Sequence, residues 1–288
     1  EFLTGQTMAF LPAGSIPYQQ YVTDELPSMA SYLKRLGYTT HALHPYYATG
    51  WNRDKVYPLF GFDEFLDQNA YLASSRMRGY IDDMACTEKI IELYEKKESG
   101  RPMFLFQVTM QNHSPYTDGY QSPEGNITVS GGNSAVLEEY LTLTEKSDDA
   151  FRQLVTYFQG KEEKTVIVFF GDHQPTDSVV FPIYRLNGRE LSEEEIRYEV
   201  PYVIWANYEI EAESGADTSA NFLGAEVLER IKMPLSDYQN YLLNLKQEYD
   251  AISALTLTDA LKEEEKIKEY QSLQYYLLFD RDGKEQGK

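Results

Sequence analysis

An acidic side chain and an imidazole stand side by side at the end of one strongly apolar stretch. Residues 165–170 are a continuous β-branched and aromatic run, a pattern typical of a strand buried on both faces of a parallel sheet. Gly171 ends the run, and Asp172 and His173 follow it. A carboxylate beside a neutral imidazole is a good ligand pair for a divalent cation such as Mn²⁺ or Zn²⁺. The same residues could instead form a turn in which Asp172 caps the strand end beside a surface histidine.

Two other predicted strands also end at a histidine. Residues 38–43 lead to His44, and the apolar residues 103–110 lead to His113. In an open α/β sheet, ligands bind outside the carboxyl ends of the strands. If the strands are parallel, three of the four histidines open onto one edge of the sheet, as a site for a charged ligand requires. The fourth, His41, lies within a strand and is interpreted as structural.

Trp51 and Arg53 follow His44 closely enough to belong to the same site. Each candidate residue also has a purely structural interpretation. Trp51 could pack in the core, and Arg53 could pair with Asp54 at the surface. His113 could cap a turn. The residues alone leave these alternatives open.

The composition limits the classes of protein to which the chain can belong. A length of 288 residues suggests one large domain or one domain with an appendage. A net charge of −20 without a Lys/Arg cluster disfavours nucleic acid as a partner, because such binding depends on neutralising phosphates. The single cysteine, Cys86, excludes an internal disulfide and a CxxC metal site. No apolar run reaches the length of a membrane span, and the sequence begins without a methionine, as expected of a fragment of a longer protein.

Strands alternate with helices of ten or more residues, which predicts an α/β fold: a three-layer α/β/α sandwich with a mostly parallel central sheet. A fourth strand is predicted at residues 200–206, near a sheet edge because of Pro201. We expect residues 1–250 to form the main domain and residues 251–288 a charged, partly helical tail. The predicted helices cover residues 24–36, 80–98, 134–159, 218–231 and 236–249.

Several short motifs follow one another across residues 1–250. They read FLPAGS at 10–15, GYTTHALH at 37–44, WNRD at 51–54, QNHSPY at 111–116, FGDHQP at 170–175 and VPYVIWANY at 200–208. In this order they resemble the extracellular catalytic domain of lipoteichoic acid synthase-like phosphoglycerol transferases, which belong to the sulfatase/alkaline-phosphatase superfamily. The motifs are specific together, although none is specific alone.

The resemblance implies a reaction and a cofactor. A threonine nucleophile would attack the phosphodiester of phosphatidylglycerol, release diacylglycerol, and pass the glycerophosphate from a covalent threonine intermediate to an acceptor hydroxyl. One Mn²⁺ or Mg²⁺ would be bound by a glutamate, the threonine, an aspartate and a histidine. Asp172 and His173 match the last two of these ligands.

The resemblance also implies substrate contacts. His113 matches a catalytic imidazole that contacts the phosphoryl group and could assist the leaving oxygen, and Arg53 matches the arginine that grips the phosphate. Trp51 and His44 match residues that line the glycerol pocket. Tyr46 stands where some members carry an acid, so the glycerol contacts are expected to differ there.

In the family, the threonine lies shortly before the pair that matches Glu1 and Phe2, and the glutamate ligand lies further upstream. We therefore expect an N-terminally truncated domain that is inactive by itself. We also expect it to lack the first strand of the family's sheet, which would leave an exposed edge capable of self-association.

The parent protein is expected at the extracellular face of the cell membrane, anchored by an upstream segment. Its lipid substrate would be phosphatidylglycerol or a related lipid, and its acceptor a cell-envelope polymer or glycolipid. A sulfatase or phosphodiesterase-type hydrolase of the same superfamily is one alternative. A non-catalytic envelope-binding domain on the same fold is another.

Overall fold

The computed structural model describes residues 1–130, 134–186 and 195–280, and these form an α/β fold. The strands are β1 Thr39–Leu43, β2 Glu64–Leu66, β3 Arg76–Met77, β4 Tyr80–Ile81, β5 Met103–Gln107, β6 Val166–Phe170 and β7 Tyr202–Ala206. The α-helices are α1 Pro17–Gln20, α2 Met29–Arg35, α3 Arg53–Leu59, α4 Asp83–Lys96, α5 Ala135–Gln159, α6 Asp177–Leu186, α7 Ala220–Arg230, α8 Asp237–Lys246, α9 Asp259–Lys262 and α10 Glu265–Phe279.

A parallel sheet of three strands, in the order β2-β1-β5, forms one part of the fold. Side chains alternate across it, so Phe104 and Phe106 pack on one face and Leu105 on the other. The first face is covered by α2, α3, α7 and α10, and the second by α4. Apolar side chains on both faces therefore produce the predicted three-layer α/β/α arrangement with a parallel central sheet.

The strands β6 and β7 form a separate antiparallel ribbon. Gly171 follows β6 directly, and its N–H donates to the carbonyl of Pro201, just before β7, at 3.2 Å. The long α5, which Ser134 caps at its start, packs on this ribbon through a contact of 4.8 Å between the rings of Phe151 and Phe169. The strand predicted at residues 200–206 is confirmed at an edge, paired with β6.

A gap separates β5 from β6. Among the described residues, neither strand is paired on the side that faces the other, and a cavity of about 2870 Å³ is lined by both. The ring of Phe2 lies between their carboxyl ends, 6.2 Å from Phe106 and 4.9 Å from Phe170. The prediction that residues 165–170 are buried on both faces is wrong, because the gap leaves the strand half-buried and Phe169 43% exposed.

Two predicted helix starts also need correction. The first helix begins at Met29, where Ser28 forms a capping box with Ser31, and not at Asp24. Pro27 explains the shift, because it disfavours helical geometry in the residue before it. The helix predicted from residue 80 begins only at Asp83, since Tyr80–Ile81 is a strand and Asp82 caps the helix.

The C-terminal helix α10 packs on the start of the chain. Tyr270 is fully buried, and its hydroxyl donates to the carbonyl of Gly5 at 2.6 Å. The Gln274 side chain bonds both the N–H and the carbonyl of Thr7 at 2.9 Å. Helix α10 thus packs against the body of the fold, while residues 281–288 of the predicted tail lie outside the described residues. No helix in the described ranges has the length and apolarity needed to cross a membrane.

Candidate active site

The side chains predicted to form a site line one cavity, at the carboxyl ends of β1, β5 and β6. This cavity is lined by His44, Trp51, Arg53, His113, Asp172 and His173. The parallel direction of β1 and β5 places the first four residues at the same edge. The cavity is larger than the 300–1,000 Å³ that is usual for a small-ligand pocket, because it continues into the gap between β5 and β6.

His44 is held as a neutral imidazole. It follows β1 directly, is only 1% exposed, and places Nδ1 3.2 Å from the carbonyl oxygen of Val108. A carbonyl can only accept, so Nδ1 carries the proton and Nε2 keeps its lone pair. Burial, aided by the positive charge of Arg53, lowers the pKa of His44 to about 4. At neutral pH its Nε2 can therefore accept a hydrogen bond from a hydroxyl group.

Arg53 lines the cavity and has one buried side-chain donor without a hydrogen-bond partner among the described residues. Its Nη1 donates to the Gly50 carbonyl at 3.0 Å, whereas its Nε is buried and has no hydrogen-bond partner among the described residues. The guanidinium also lies 5.8 Å from the ring of Trp51. A buried charged donor without a partner is costly, and an anionic ligand would satisfy it.

Trp51 is held at the surface by an unusual backbone. Its φ is 57° and that of Asn52 is 55°, a left-handed conformation that is costly for side chains other than glycine. The indole remains 52% exposed. The interpretation of Trp51 as core packing is therefore wrong, and among the described ion pairs none joins Arg53 to Asp54.

His113 lies in an irregular loop after β5 and is exposed. Its Nδ1 lies 2.7 Å from the Ser114 carbonyl, so this imidazole also caps a turn and leaves Nε2 with a lone pair. The ring lies 5.9 Å from that of Tyr80. The neighbouring Asn112 side chain donates to Ser147 Oγ at 2.8 Å, which ties the loop to α5.

Asp172 and His173 follow β6 and are both exposed. The Nδ1 of His173 donates to the Gln174 carbonyl at 2.7 Å, and its Nε2 lies 3.7 Å from Asp172 Oδ2. A cation bound about 2.1 Å from each donor can span donors up to about 4.2 Å apart, so this pair fits a divalent metal. A backbone carbonyl on the other ring nitrogen is also typical of metal-binding histidines. The described residues contain no cluster of three or more His, Cys, Asp or Glu side chains suited to a metal.

Asp83, which is not among the residues predicted from the sequence, is a buried acid that contacts the start of the His113 loop. Its Oδ2 accepts from Ser147 Oγ at 2.5 Å, and its N–H donates to the buried Gln111 side chain at 3.0 Å. Burial raises the pKa of Asp83 to about 6. The sequence shows only an acidic pair at a helix start, which is typical of capping; the burial of the second acid depends on contact with α5.

The fold carries its candidate ligand residues at the carboxyl ends of its strands, which is the usual place for a site in an α/β domain. A family model described as Sulfatase matches residues 1–233, and the chain belongs to this family.

The chain is also similar to individual proteins. It is 29% identical to a putative cyclic beta-1,2-glucan modification protein of Rhizobium meliloti, over 98% of this chain and 47% of that protein. It is 28% identical to lipoteichoic acid synthase 1 of Bacillus subtilis, over 57% of this chain and 25% of that protein. The chain thus spans less than half the length of these relatives. The solved structure of the Streptococcus pyogenes phosphoglycerol transferase GacH in complex with sn-glycerol-1-phosphate shares the fold, with a TM-score of 0.74 and 20% identity over 98% of this chain and 72% of that one.

Proposed function

We propose that this chain is the larger part of the catalytic domain of a metal-dependent phosphoglycerol transferase. The enzyme would move glycerophosphate from phosphatidylglycerol or a related lipid to a hydroxyl group of a cell-envelope polymer or glycolipid. One observation carries the proposal. The same cavity is lined by Arg53, whose Nε has no hydrogen-bond partner among the described residues, and by the neutral imidazole of His44. The arginine suits a phosphate, and the imidazole suits a glycerol hydroxyl that donates to it.

Asp172 and His173 would supply two ligands to a Mn²⁺ or Mg²⁺ ion. When bound, the ion would lower the pKa of the nucleophilic hydroxyl and neutralise phosphoryl charge. We propose that the threonine nucleophile and a glutamate ligand belong to residues of the parent protein outside this sequence. The gap between β5 and β6 supports this proposal, because Phe2 lies at its carboxyl end and a strand that reaches Glu1 through the gap would end beside the site. This chain alone would then be inactive.

The reaction would consist of two phosphodiester exchanges. In the first, the threonine oxygen bonds to phosphorus while the bond from phosphorus to the diacylglycerol oxygen breaks. In the second, the acceptor oxygen replaces the threonine oxygen. In each exchange one P–O bond forms and one breaks, and the proton of the attacking hydroxyl finally resides on the leaving oxygen. His113 would transfer this proton through Nε2, since its Nδ1 is bonded to the Ser114 carbonyl.

The lipid substrate implies a location at the membrane. We propose that the parent protein is anchored by a segment outside this sequence and that the site works at the extracellular face. The net charge of −20 fits this arrangement, since an acidic domain is not attracted to anionic lipid by its overall charge.

Ligand binding by the 288-residue chain tests the pocket without requiring turnover. We expect sn-glycerol-1-phosphate, titrated by calorimetry, to bind roughly tenfold to hundredfold more weakly to Arg53→Ala, the cost of a lost charged hydrogen bond. Arg35→Ala, on the exposed face of α2, is the matched control and should bind like wild type. Equal affinity in all three proteins would contradict the assignment of Arg53.

Turnover tests the chemistry. The chain is extended at its N-terminus by the residues that precede Glu1 in its gene, and diacylglycerol release from labelled phosphatidylglycerol is followed with Mn²⁺. We expect turnover that Asp172→Ala abolishes. An extended protein that folds and binds Mn²⁺ but releases no diacylglycerol would overturn the lipid assignment and favour a hydrolase of another ester.

A further inference from the structure

The hairpin of β3 and β4 carries a buried arginine at its tip. Met77 pairs with Tyr80, so Arg78 and Gly79 form the two-residue turn, with φ values of 55° and 84°. Such turns strongly favour Asn-Gly, and the left-handed conformation costs an arginine about 1–2 kcal/mol. A cost of this kind is retained where the side chain has a role that compensates for it.

The Arg78 side chain is only 2% exposed, and each of its nitrogens has a partner. Nη1 donates to the carbonyls of Gln111 at 3.4 Å and His113 at 3.2 Å, and Nη2 donates to the carbonyl of Pro115. All these carbonyls belong to the loop that carries His113. The planar fork of arginine suits several fixed acceptors at once, and a lysine ammonium cannot replace it in full.

Two carboxylates hold the guanidinium from its other side. Nε lies 2.9 Å from Asp118 Oδ1 and 3.1 Å from Glu139 Oε1. Glu139 is itself buried on α5, and its Oε2 accepts from the N–H groups of Gly119 and Tyr120. The loop is therefore tied to the hairpin and to α5 through one buried cation.

We infer that Arg78 is a positioning residue, which fixes the imidazole of His113 for the proposed phosphoryl transfer by clamping the backbone on both sides of it. The inference rests on the proposed function for the role of His113. An irregular, exposed loop does not by itself hold a side chain within catalytic tolerance, and a displacement of about 1 Å can cost 10²-fold in rate.

The four histidines make the test direct, because ¹³C-histidine labelling gives at most four ring Cε1–H signals. His113→Gln assigns the relevant signal in the 288-residue chain. We expect Arg78→Lys to shift or broaden the His113 signal and leave that of His41 in place. The matched control is Arg76→Lys on the same hairpin, whose Nη1 donates to the Gly79 carbonyl and to no part of the His113 loop that the structure describes, and this substitution should move none of the four signals.

If Arg78→Lys does not fold, Asp118→Asn provides the test. This substitution weakens the hold on the Arg78 guanidinium without removing the arginine, so it should shift the His113 signal by a smaller amount than Arg78→Lys would. In the extended, active enzyme, Arg78→Lys should lower kcat roughly tenfold to hundredfold with KM within about twofold. Folded Arg78→Lys or Asp118→Asn protein with an unchanged His113 signal would overturn the inference. The signal does not depend on turnover, so failure of the lipid assay contradicts the proposed function and not the clamp.

Discussion

Burial shifts the pKa values of two residues at the site in opposite directions, because it favours the neutral form of each. It lowers the pKa of His44 to about 4 and keeps that imidazole neutral, and it raises the pKa of Asp83 to about 6. His44 thereby becomes a hydrogen-bond acceptor, which a hydroxylated ligand needs. Asp83 supports the loop above it through Ser147, at a cost to stability when it is ionised.

The cost of ionising the buried Asp83 carboxyl group makes the free energy of unfolding depend on pH. Because its pKa is raised in the folded state, its stabilising contribution is fully present below the unfolded value of about 4 and is lost as the pH rises through about 6. We expect the free energy of unfolding of Asp83→Asn, relative to that of wild type, to rise by on the order of 2 kcal/mol between pH 4 and pH 7.5. Urea unfolding of both proteins at the two pH values measures this difference.

The comparison with wild type removes two other effects. His44 acts in the opposite direction but is present in both proteins, and any fixed change in hydrogen bonding cancels between the two pH values. Asp250→Asn, whose side chain is 96% exposed, is the control and should show no such difference. A constant gap between Asp83→Asn and wild type across the range would show that Asp83 ionises normally.

At the scale of the elements, α7 fixes the position of the first residues of the chain. Gly224 faces the backbone of Phe2 so closely that an added Cβ would lie 2.8 Å from the Phe2 carbonyl oxygen. Phe2 in turn lies between β5 and β6. The glycine therefore sets how near the chain start can approach the gap.

Gly224→Ala tests this packing. In an exposed helix the change would stabilise by up to about 1 kcal/mol, but here the clash should reverse the sign and destabilise by about 1–3 kcal/mol. Gly160→Ala, at the end of α5, is the matched control, because its Cβ would meet its nearest neighbour at 3.7 Å. Urea unfolding of the two variants gives the comparison. A gain in stability for Gly224→Ala would mean that the start of the chain moves away freely.

The ends of the strands could be predicted from sequence, and much of the packing around them could not. The apolar runs before His44 and Asp172 mark strand ends because hydrophobic patterns and glycine breaks are local signals. The strand predicted over residues 103–110 ends already at Gln107, and an irregular loop carries His113. The clamp of Arg78 and the burial of Asp83 depend on residues far along the chain. The gap next to β6 could not be predicted from the apolar pattern of that strand alone, which indicates burial on both faces whether or not a neighbour is present.

At the scale of the whole molecule, the net charge of −20 opposes the compact state through self-repulsion. Salt at about 0.15 M screens charges beyond about 8 Å, a distance that affects the general repulsion more than the close ion pairs. We expect Tm to rise by about 2–4 °C between 10 mM and 150 mM NaCl, as relief of about 1 kcal/mol would give for a domain of this size.

Differential scanning fluorimetry at a series of salt concentrations measures the change. The same series with sucrose in place of salt controls for general solvent effects. A fall in Tm with salt would mean that local ion pairs, such as that of Lys34 with Asp63 at 2.6 Å, outweigh the overall repulsion.

Among the described residues, the ribbon of β6 and β7 pairs with no other strand, and a two-stranded ribbon is marginally stable on its own. It should therefore undergo local unfolding at a lower free energy than the sheet of β1 and β5. Asp172 and His173 lie at the end of this ribbon, so a cation that requires their folded arrangement would bind the folded ribbon in preference to the locally unfolded one. Each tenfold rise of Mn²⁺ above its Kd would then add about 1.4 kcal/mol to the opening free energy. Amide exchange of residues 166–170 should therefore become slower as the Mn²⁺ concentration rises, and the slowing would measure metal binding by Asp172 and His173.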